Sequence, residues 1–442
     1  MTATAGTQAD TAAQAGVIAC RECDLLQREQ PLPRNGVLRC CRCRASLYRR
    51  HVGGLERPLA FASAALVLFV LANAFPIVGL AVNGDLVETT LLGSVRVLYR
   101  DGMWPLAGLI FITTFLMPAL QVLAIVWLLA PLQFGRRPYR ADLVFRMLHV
   151  ARSWGMTEVL ILGLLVALVK LAHIASVVPE VALWSFGVLM LLIAAAATAF
   201  DPRDLWRRLD GPPDVAAPVP PHPAAGFPAY TAAACGRCVC HDCGLMSEPL
   251  SGASHAPGAH DLRCARCGSR LHLRKPNSLA RTWAFLLAAV VLYLPANLLP
   301  VMNTSSLFGA QKDTIMSGVV YLWSSGSWPL AVLVFVASIA VPMLKILAIG
   351  FLVASAQLRS TWQPHQRARI YRLVELIGRW SMLDIYVIAI LTALVQFNAL
   401  ATISAGPAAI AFGAVVVLTM LAALSFDPRL IWDTRQGHGQ TA

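Results

Sequence analysis

Residues 102–130 read GMWPLAGLIFITTFLMPALQVLAIVWLLA, and residues 326–354 read GSWPLAVLVFVASIAVPMLKILAIGFLVA. Both open on Trp-Pro-Leu-Ala, carry a proline at the same place (Pro118, Pro342) and hold no charge except Lys345. Each is longer than the ~20 apolar residues that cross a bilayer. The chain is therefore a membrane protein that contains one unit twice, at an offset of 224 residues.

The repeat widens from that pair. Asn73 and Pro76 recur as Asn297 and Pro300, Arg152–Met156 recurs as Gly378–Met382 with Trp154 on Trp380, and Phe200-Asp-Pro-Arg203 recurs as Phe426-Asp-Pro-Arg429. Eight segments have the length and hydropathy of spans: Leu59–Val82, Pro105–Ala130, Met156–Val178, Val181–Phe200, Leu279–Met302, Pro329–Ala354, Met382–Ile403 and Pro407–Phe426. Very short connections make hairpins of the third with the fourth and the seventh with the eighth. Four spans per unit give both copies the same topology, so they are parallel repeats about an axis along the membrane normal.

Composition agrees: 57% of the 442 residues are hydrophobic and 13% charged, against ~25% charged in soluble domains. The net charge of +13 sits mainly in arginines that flank apolar runs, which marks membrane orientation rather than nucleic-acid binding. One side receives Arg136, Arg137, Arg140, Arg146, Arg152, Arg359, Arg367, Arg369, Arg372 and Arg379; the other receives only Arg96, Arg100 and Lys312. The positive-inside rule makes the first side cytoplasmic, with both termini on it. The polar start, residues 1–16, lacks the pattern of a signal peptide.

Before each unit lies a cysteine cluster: Cys20-x-x-Cys23 with Cys40-x-x-Cys43, and Cys240-x-x-Cys243 with Cys264-x-x-Cys267. Paired C-x-x-C knuckles in a reducing compartment point to a four-thiolate zinc site, hence two structural zinc ions. Four thiolates leave no open position for catalysis. Cys41, Cys235, Cys238, His241 and His260 lie near the clusters and outside the ligand sets, leaving ligand exchange or redox sensing open.

The expected organisation is all-α: eight transmembrane helices as two parallel four-helix repeats, each preceded by a small cytoplasmic zinc ribbon. Its parts are a disordered N-terminus (1–16), ribbon 1 (17–50), transmembrane unit 1 (57–209), a Pro-rich linker (210–230), ribbon 2 (231–274), transmembrane unit 2 (278–432) and a C-terminal tail (433–442).

Ionisable groups deep in a span cost ~2.5–3.5 kcal/mol to insert and mark function by default. Lys345, Asp384 and Thr419 fall at similar depth in unit 2, with Ser338 and Ser381 one or two turns away on the helix faces of Lys345 and Asp384. They read either as a buried ion pair that locks the bundle or as a polar network that lines a cavity or relays protons. Unit 1 keeps Thr114 and Glu158 but has Gln121 for Lys345 and Ile193 for Thr419. The mechanism is therefore expected in unit 2. Pro118 and Pro342 interrupt their spans and favour kinks, and Leu86–Gly102 and Asp313–Gly326 look amphipathic and interfacial.

The ribbon, the four spans and the N-x-x-P, W-P-L-A, R-W-x-M-[ED] and F-D-P-R motifs together resemble the paraquat-inducible protein A family in its tandem form. The resemblance implies a bacterial inner-membrane partner of an MCE-domain tunnel protein, moving phospholipid between inner and outer membranes, and a non-enzymatic role. No G-x-x-x-x-G-K-[ST] sequence points to ATP. A zinc- or redox-responsive membrane sensor is the alternative reading. A haem oxidoreductase lacks paired axial ligands, since His173 alone lies near a deep span position.

Overall fold

The computed structural model describes residues 17–30, 32–33, 36–49, 54–82, 85–155, 159–165, 176–210, 231–247, 262–306, 309–326, 328–380, 385–387, 396–397 and 401–433. The chain opens on two short hairpins, β1–β2 (Val17–Ala19, Leu26–Arg28) and β3–β4 (Val37–Arg39, Ser46–Arg49). The first bundle follows as α1 (Glu56–Ala74), β5 (Val78–Val82), β6 (Asp85–Thr89), α2 (Leu91–Arg100), α3 (Trp104–Gln133), α4 (Ala141–Trp154), β7 (Ser176–Pro179), α5 (Val181–Ala199) and α6 (Pro202–Asp210). After the hairpin β8–β9 (Cys238–Val239, Met246–Ser247) the order repeats with α7 (Ser278–Leu298), β10 (Met302–Ser306), β11 (Gly309–Asp313) and α8 (Ile315–Ser324). The helix α9 runs from Trp328–Phe335 through Val336–Ala340 into Val341–Gln357, before α10 (Pro364–Trp380), β12 (Gln396–Phe397), β13 (Ala401–Ala405) and α11 (Pro407–Ser425).

Among the described residues six helices (α1, α3, α5, α7, α9 and α11) are long and apolar enough to cross a membrane. The expected spans Met156–Val178 and Met382–Ile403 lie largely outside the described residues, apart from helical stretches at 159–165 and 385–387. The helix α3 has 30 residues, about 45 Å at 1.5 Å per residue, so it projects beyond a ~30 Å hydrocarbon layer.

An all-α protein was expected, and the structure corrects this: it is mostly helical, with a small antiparallel sheet on each bundle at the end opposite the ribbons. β5 pairs with β6 and β7, and β10 pairs with β11 and β13, the latter also carrying β12. The expected first and fifth spans thus stop early, at Ala74 and Leu298. The N-x-x-P motif explains the stop. Asn73 Nδ2 donates to Phe69 O (2.7 Å) and Asn297 Nδ2 to Tyr293 O (2.8 Å), tying off the last turn, and the following proline cannot continue a helix. Val78–Val82 is as apolar as a span, and hydropathy alone does not separate a buried strand from the end of a helix. The short hairpin connections likewise contain strands, β7 and β13.

Pro118 and Pro342 lack the N–H that would bond the carbonyls of Thr114 and Ser338 four residues back. The helices widen instead into π-turns at Phe111–Leu116 and Val336–Ala340, where Met117 N donates to Ile112 O and Val341 N to Val336 O. These turns put Thr113, Thr114 and Ser338, all buried, at an irregular step of the helix.

In each bundle the first helix lies along the last, α1 on α5 and α7 on α11. The two bundles share one hydrophobic core, in which Leu106, Ala107 and Ile110 meet Ile385, Phe412 and Val416. Gly413 lies at this seam, beside Leu106, Leu109 and Ile385. Tyr386 donates to Thr113 Oγ1 (3.0 Å), a buried hydrogen bond from one bundle to the other.

At the sheet end, Gly406 N donates to Val301 O (2.7 Å) and Ala408 N to Pro300 O (3.2 Å). A Cβ on Gly406 would strike the Pro300 carbonyl oxygen and stand 2.9 Å from its carbon. Backbone cannot move aside as a side chain can. Gly406→Ala is expected to destabilise the protein by about 1–3 kcal/mol, the usual range for overpacking, read as a lowered unfolding midpoint in detergent. An unchanged midpoint would refute this packing.

Candidate functional site

The F-D-P-R motif prepares the ribbon end. Asp201 Oδ1 accepts from Arg203 N (2.9 Å) and Asp427 Oδ1 from Arg429 N (3.0 Å), each carboxylate capping a new turn behind which proline fits. Asp427 also accepts from Lys275 N and donates its own N–H to Ser278 Oγ, fastening the start of α7 to the end of α11.

Each C-x-x-C forms a tight knuckle. The cysteine N–H donates forward, as in Cys20 to Leu25 O and Cys240 to Leu245 O, and its carbonyl accepts from the residue after the second cysteine. That residue turns left-handed: Asp24 (φ 63°), Arg44 (62°), Gly244 (75°) and Gly268 (67°). Four sulfurs converge, with Cys20–Cys43 and Cys23–Cys40 at 3.5 Å, Cys240–Cys267 at 3.4 Å and Cys243–Cys264 at 3.5 Å. A tetrahedral ion with ~2.3 Å bonds to sulfur spaces its ligands by ~3.8 Å, so both clusters can bind a metal ion and fit zinc.

The clusters are crossed. Cys20, Cys23, Cys40 and Cys43 are buried with Val353, Ala368, Val374, Phe426 and Trp432 of the second bundle. Cys240, Cys243, Cys264 and Cys267 are buried with Phe145, Leu148, Phe200, Leu205 and Trp206 of the first. Equivalent contacts appear on both sides: Arg42 lies over the Trp432 ring (4.6 Å to its centre) and Arg266 over Trp206 (5.8 Å). Arg372 Nη2 donates to Cys43 O (2.6 Å) while its guanidinium pairs with Glu22. Burial disfavours that charge, but Glu22 outweighs burial and holds the Arg372 pKa up. Ribbon 1 also ties back to its own bundle through Glu29 with Arg203 and Arg207. Asp24, almost fully buried, has its pKa raised by burial, an effect opposed by Arg274 and Arg429.

A cavity of about 480 Å³ lies where both bundles and both ribbons meet. Arg21 and Asp242 come to it from the ribbons, His149 and Arg152 from the first bundle, and Lys345, Arg372, Glu375, Gly378 and Met420 from the second. Lys345 is 2% exposed, and its Nζ has no hydrogen-bond partner among the described residues. Gly378 lies directly beside it, at a distance where a Cβ would stand 3.4 Å from Nζ.

The other candidate polar residues divide. Ser338 and Thr419 are buried, as are Thr114 and Gln121 in the first bundle, with Ile193 at the position of Thr419. Thr419 Oγ1 turns to Val416 O (2.9 Å) and Thr114 Oγ1 to Ile110 O (2.6 Å), so both satisfy their own helices. Ser381, Asp384 and Glu158 lie outside the described residues. Sequence reasoning missed Gly378, Thr113, Tyr386 and the cavity's arginines. Only Gly378 left a trace, as the glycine where the first copy of its motif has Arg152.

Fold and site together define a multi-pass membrane protein of two repeated bundles, each served by a buried four-cysteine cluster from the far end of the repeat. The family model for paraquat-inducible protein A matches twice, at residues 55–210 and 279–436, and the chain belongs to that family. Over 94% of its length it is 34% identical to intermembrane transport protein PqiA of Escherichia coli (strain K12), covering 95% of that protein. It is 30% identical to lipophilic envelope-spanning tunnel protein A of the same organism, covering 91% of it. A probable intermembrane transport protein of Haemophilus influenzae is 29% identical, with 95% covered. No solved structure matches the chain.

Proposed function

We propose that this chain is the inner-membrane component of a phospholipid transport system, passing lipid between its own bilayer and a periplasm-spanning MCE-domain partner. The observation that carries the reading is the cavity shared by both bundles, with buried Lys345 in its wall and Arg21, Arg152 and Arg372 around it. Its volume suits a lipid headgroup, and its cations suit a phosphate, while acyl chains keep to the bilayer. The relatives' names, intermembrane transport and envelope-spanning tunnel, point the same way. In this reading the chain is no enzyme, zinc holds the ribbons, and ribbons and termini face the cytoplasm. The two sheets then face the periplasm and offer strand edges to the partner. Asp384, Ser381, Ser338 and Thr419 act with Lys345 as the polar path in the second bundle; Thr114, Gln121 and Glu158 are its weaker counterpart.

The test reconstitutes the full chain in vesicles and measures transfer of labelled phospholipid to and from purified MCE-domain partner. Transfer should require both proteins. A rate equal to that of the partner alone would overturn the proposal.

A further inference from the structure

The second ribbon carries, beside its four cysteines, a set of ligating groups that the cluster does not use. His241 and Asp242 are the two middle residues of the Cys240–Cys243 knuckle, and His149 comes from α4 of the first bundle. One ligand atom of each lies within 4.8 Å of the others. Asp242 Oδ1 is 3.7 Å from His149 Nε2 and 3.7 Å from His241 Nδ1. That is too long for a hydrogen bond. It is close to the ~3.3–3.6 Å between ligands of one tetrahedral ion with ~2.0–2.2 Å bonds to nitrogen and oxygen.

We propose that His149, His241 and Asp242 form a third metal site, for a divalent transition ion of the zinc class, which fastens the second ribbon to the first bundle at the edge of the cavity. The set is prepared for it. Asp242 Oδ2 accepts from Ser269 Oγ (2.5 Å), which orients the carboxylate and leaves Oδ1 to the ion. Two imidazoles and one carboxylate suit zinc better than magnesium or calcium. The side chains of His149, His241 and Asp242 are 39%, 56% and 22% exposed, so water can complete the shell and the ion can exchange.

The repeat supplies an internal comparison. The positions equivalent to His149, His241 and Asp242 hold Glu375, Arg21 and Glu22. There the ribbon is held by an ion pair, Arg372 to Glu22 at 2.6 Å. Its counterpart Arg146 pairs instead within its own helix, with Asp142 at 3.6 Å. One copy of the dock is thus an ion pair, and the other has ligating groups in place of it.

The experiment uses the full chain without a polyhistidine tag, purified with both cysteine clusters filled. Equilibrium dialysis against Zn²⁺ should give a third equivalent, held more weakly than the first two. His149→Gln should weaken it by more than the ~10–100-fold typical of losing an outer-shell partner, with two equivalents retained. The pair His241→Arg with Asp242→Glu copies the other ribbon and keeps a dock that folds. It should also bind two equivalents, with thiolate-to-cobalt absorption of the Co²⁺ form unchanged as the measure of intact clusters. Saturation of the wild type at two equivalents would overturn the site, as would a third equivalent that survives in both variants.

Discussion

Serine at Cys20 and Cys23 is expected to remove one metal ion per chain and to loosen α10 of the second bundle while sparing α4 of the first. These cysteines are joined by a short chain to α1, but they are buried against α9, α10 and the end of α11. A ribbon this small buries too little surface to fold alone. Metal binding worth about 10–16 kcal/mol would hold it together. Without the ion the seat around Phe426, Ile431 and Trp432 opens to water, and Arg372 loses both Glu22 and Cys43 O. Hydrogen exchange should rise in Pro364–Trp380 and stay level in Ala141–Trp154. Serine at Cys240 and Cys243 should give the reverse. The crossed pattern is the diagnostic result; loosening of the adjacent bundle in each case would refute the docking.

Lys345→Met is expected to leave the protein folded and to reduce lipid transfer at least ~10-fold, a loss of ~1.4 kcal/mol or more. Methionine follows the path of the aliphatic stem, so the packing beside Gly378 survives. What disappears is an ionisable amine placed where insertion costs ~2.5–3.5 kcal/mol, a cost with no structural return among the described residues, since Nζ has no partner there. Gln121→Met, at the equivalent position of the first bundle, should leave transfer close to wild type. Transfer unaffected by Lys345→Met, at equal protein in the membrane, would remove the lysine from the mechanism.

The sequence discloses the features that depend on local composition and spacing. Apolar runs announced the six membrane-length helices among the described residues, C-x-x-C pairs announced both clusters, and the recurring prolines located the interruptions of α3 and α9. The rest depends on distance across the fold. Val78–Val82 reads like the tail of a span because a buried strand and a buried helix share a vocabulary. The prolines suggested kinks, whereas the helices answer the missing N–H with π-turns at Phe111–Leu116 and Val336–Ala340. No spacing rule links Arg42 to Trp432 or His149 to His241, because each pair is made by the crossing of the ribbons. Lys345 was legible as an expensive residue; the cavity it faces, built from both bundles and both ribbons, was not.

The crossing has a consequence for how the protein is made. Ribbon 1 leaves the ribosome well before its seat, since Trp432, against which Arg42 stacks, is synthesised about 390 residues later. At ~5–20 residues per second this is a wait of roughly 20–80 s. During that time the first ribbon exists without its seat, while ribbon 2 meets a first bundle already inserted. The first cluster is therefore seated only after the second bundle has been made, and its arrival certifies that translation has passed Trp432.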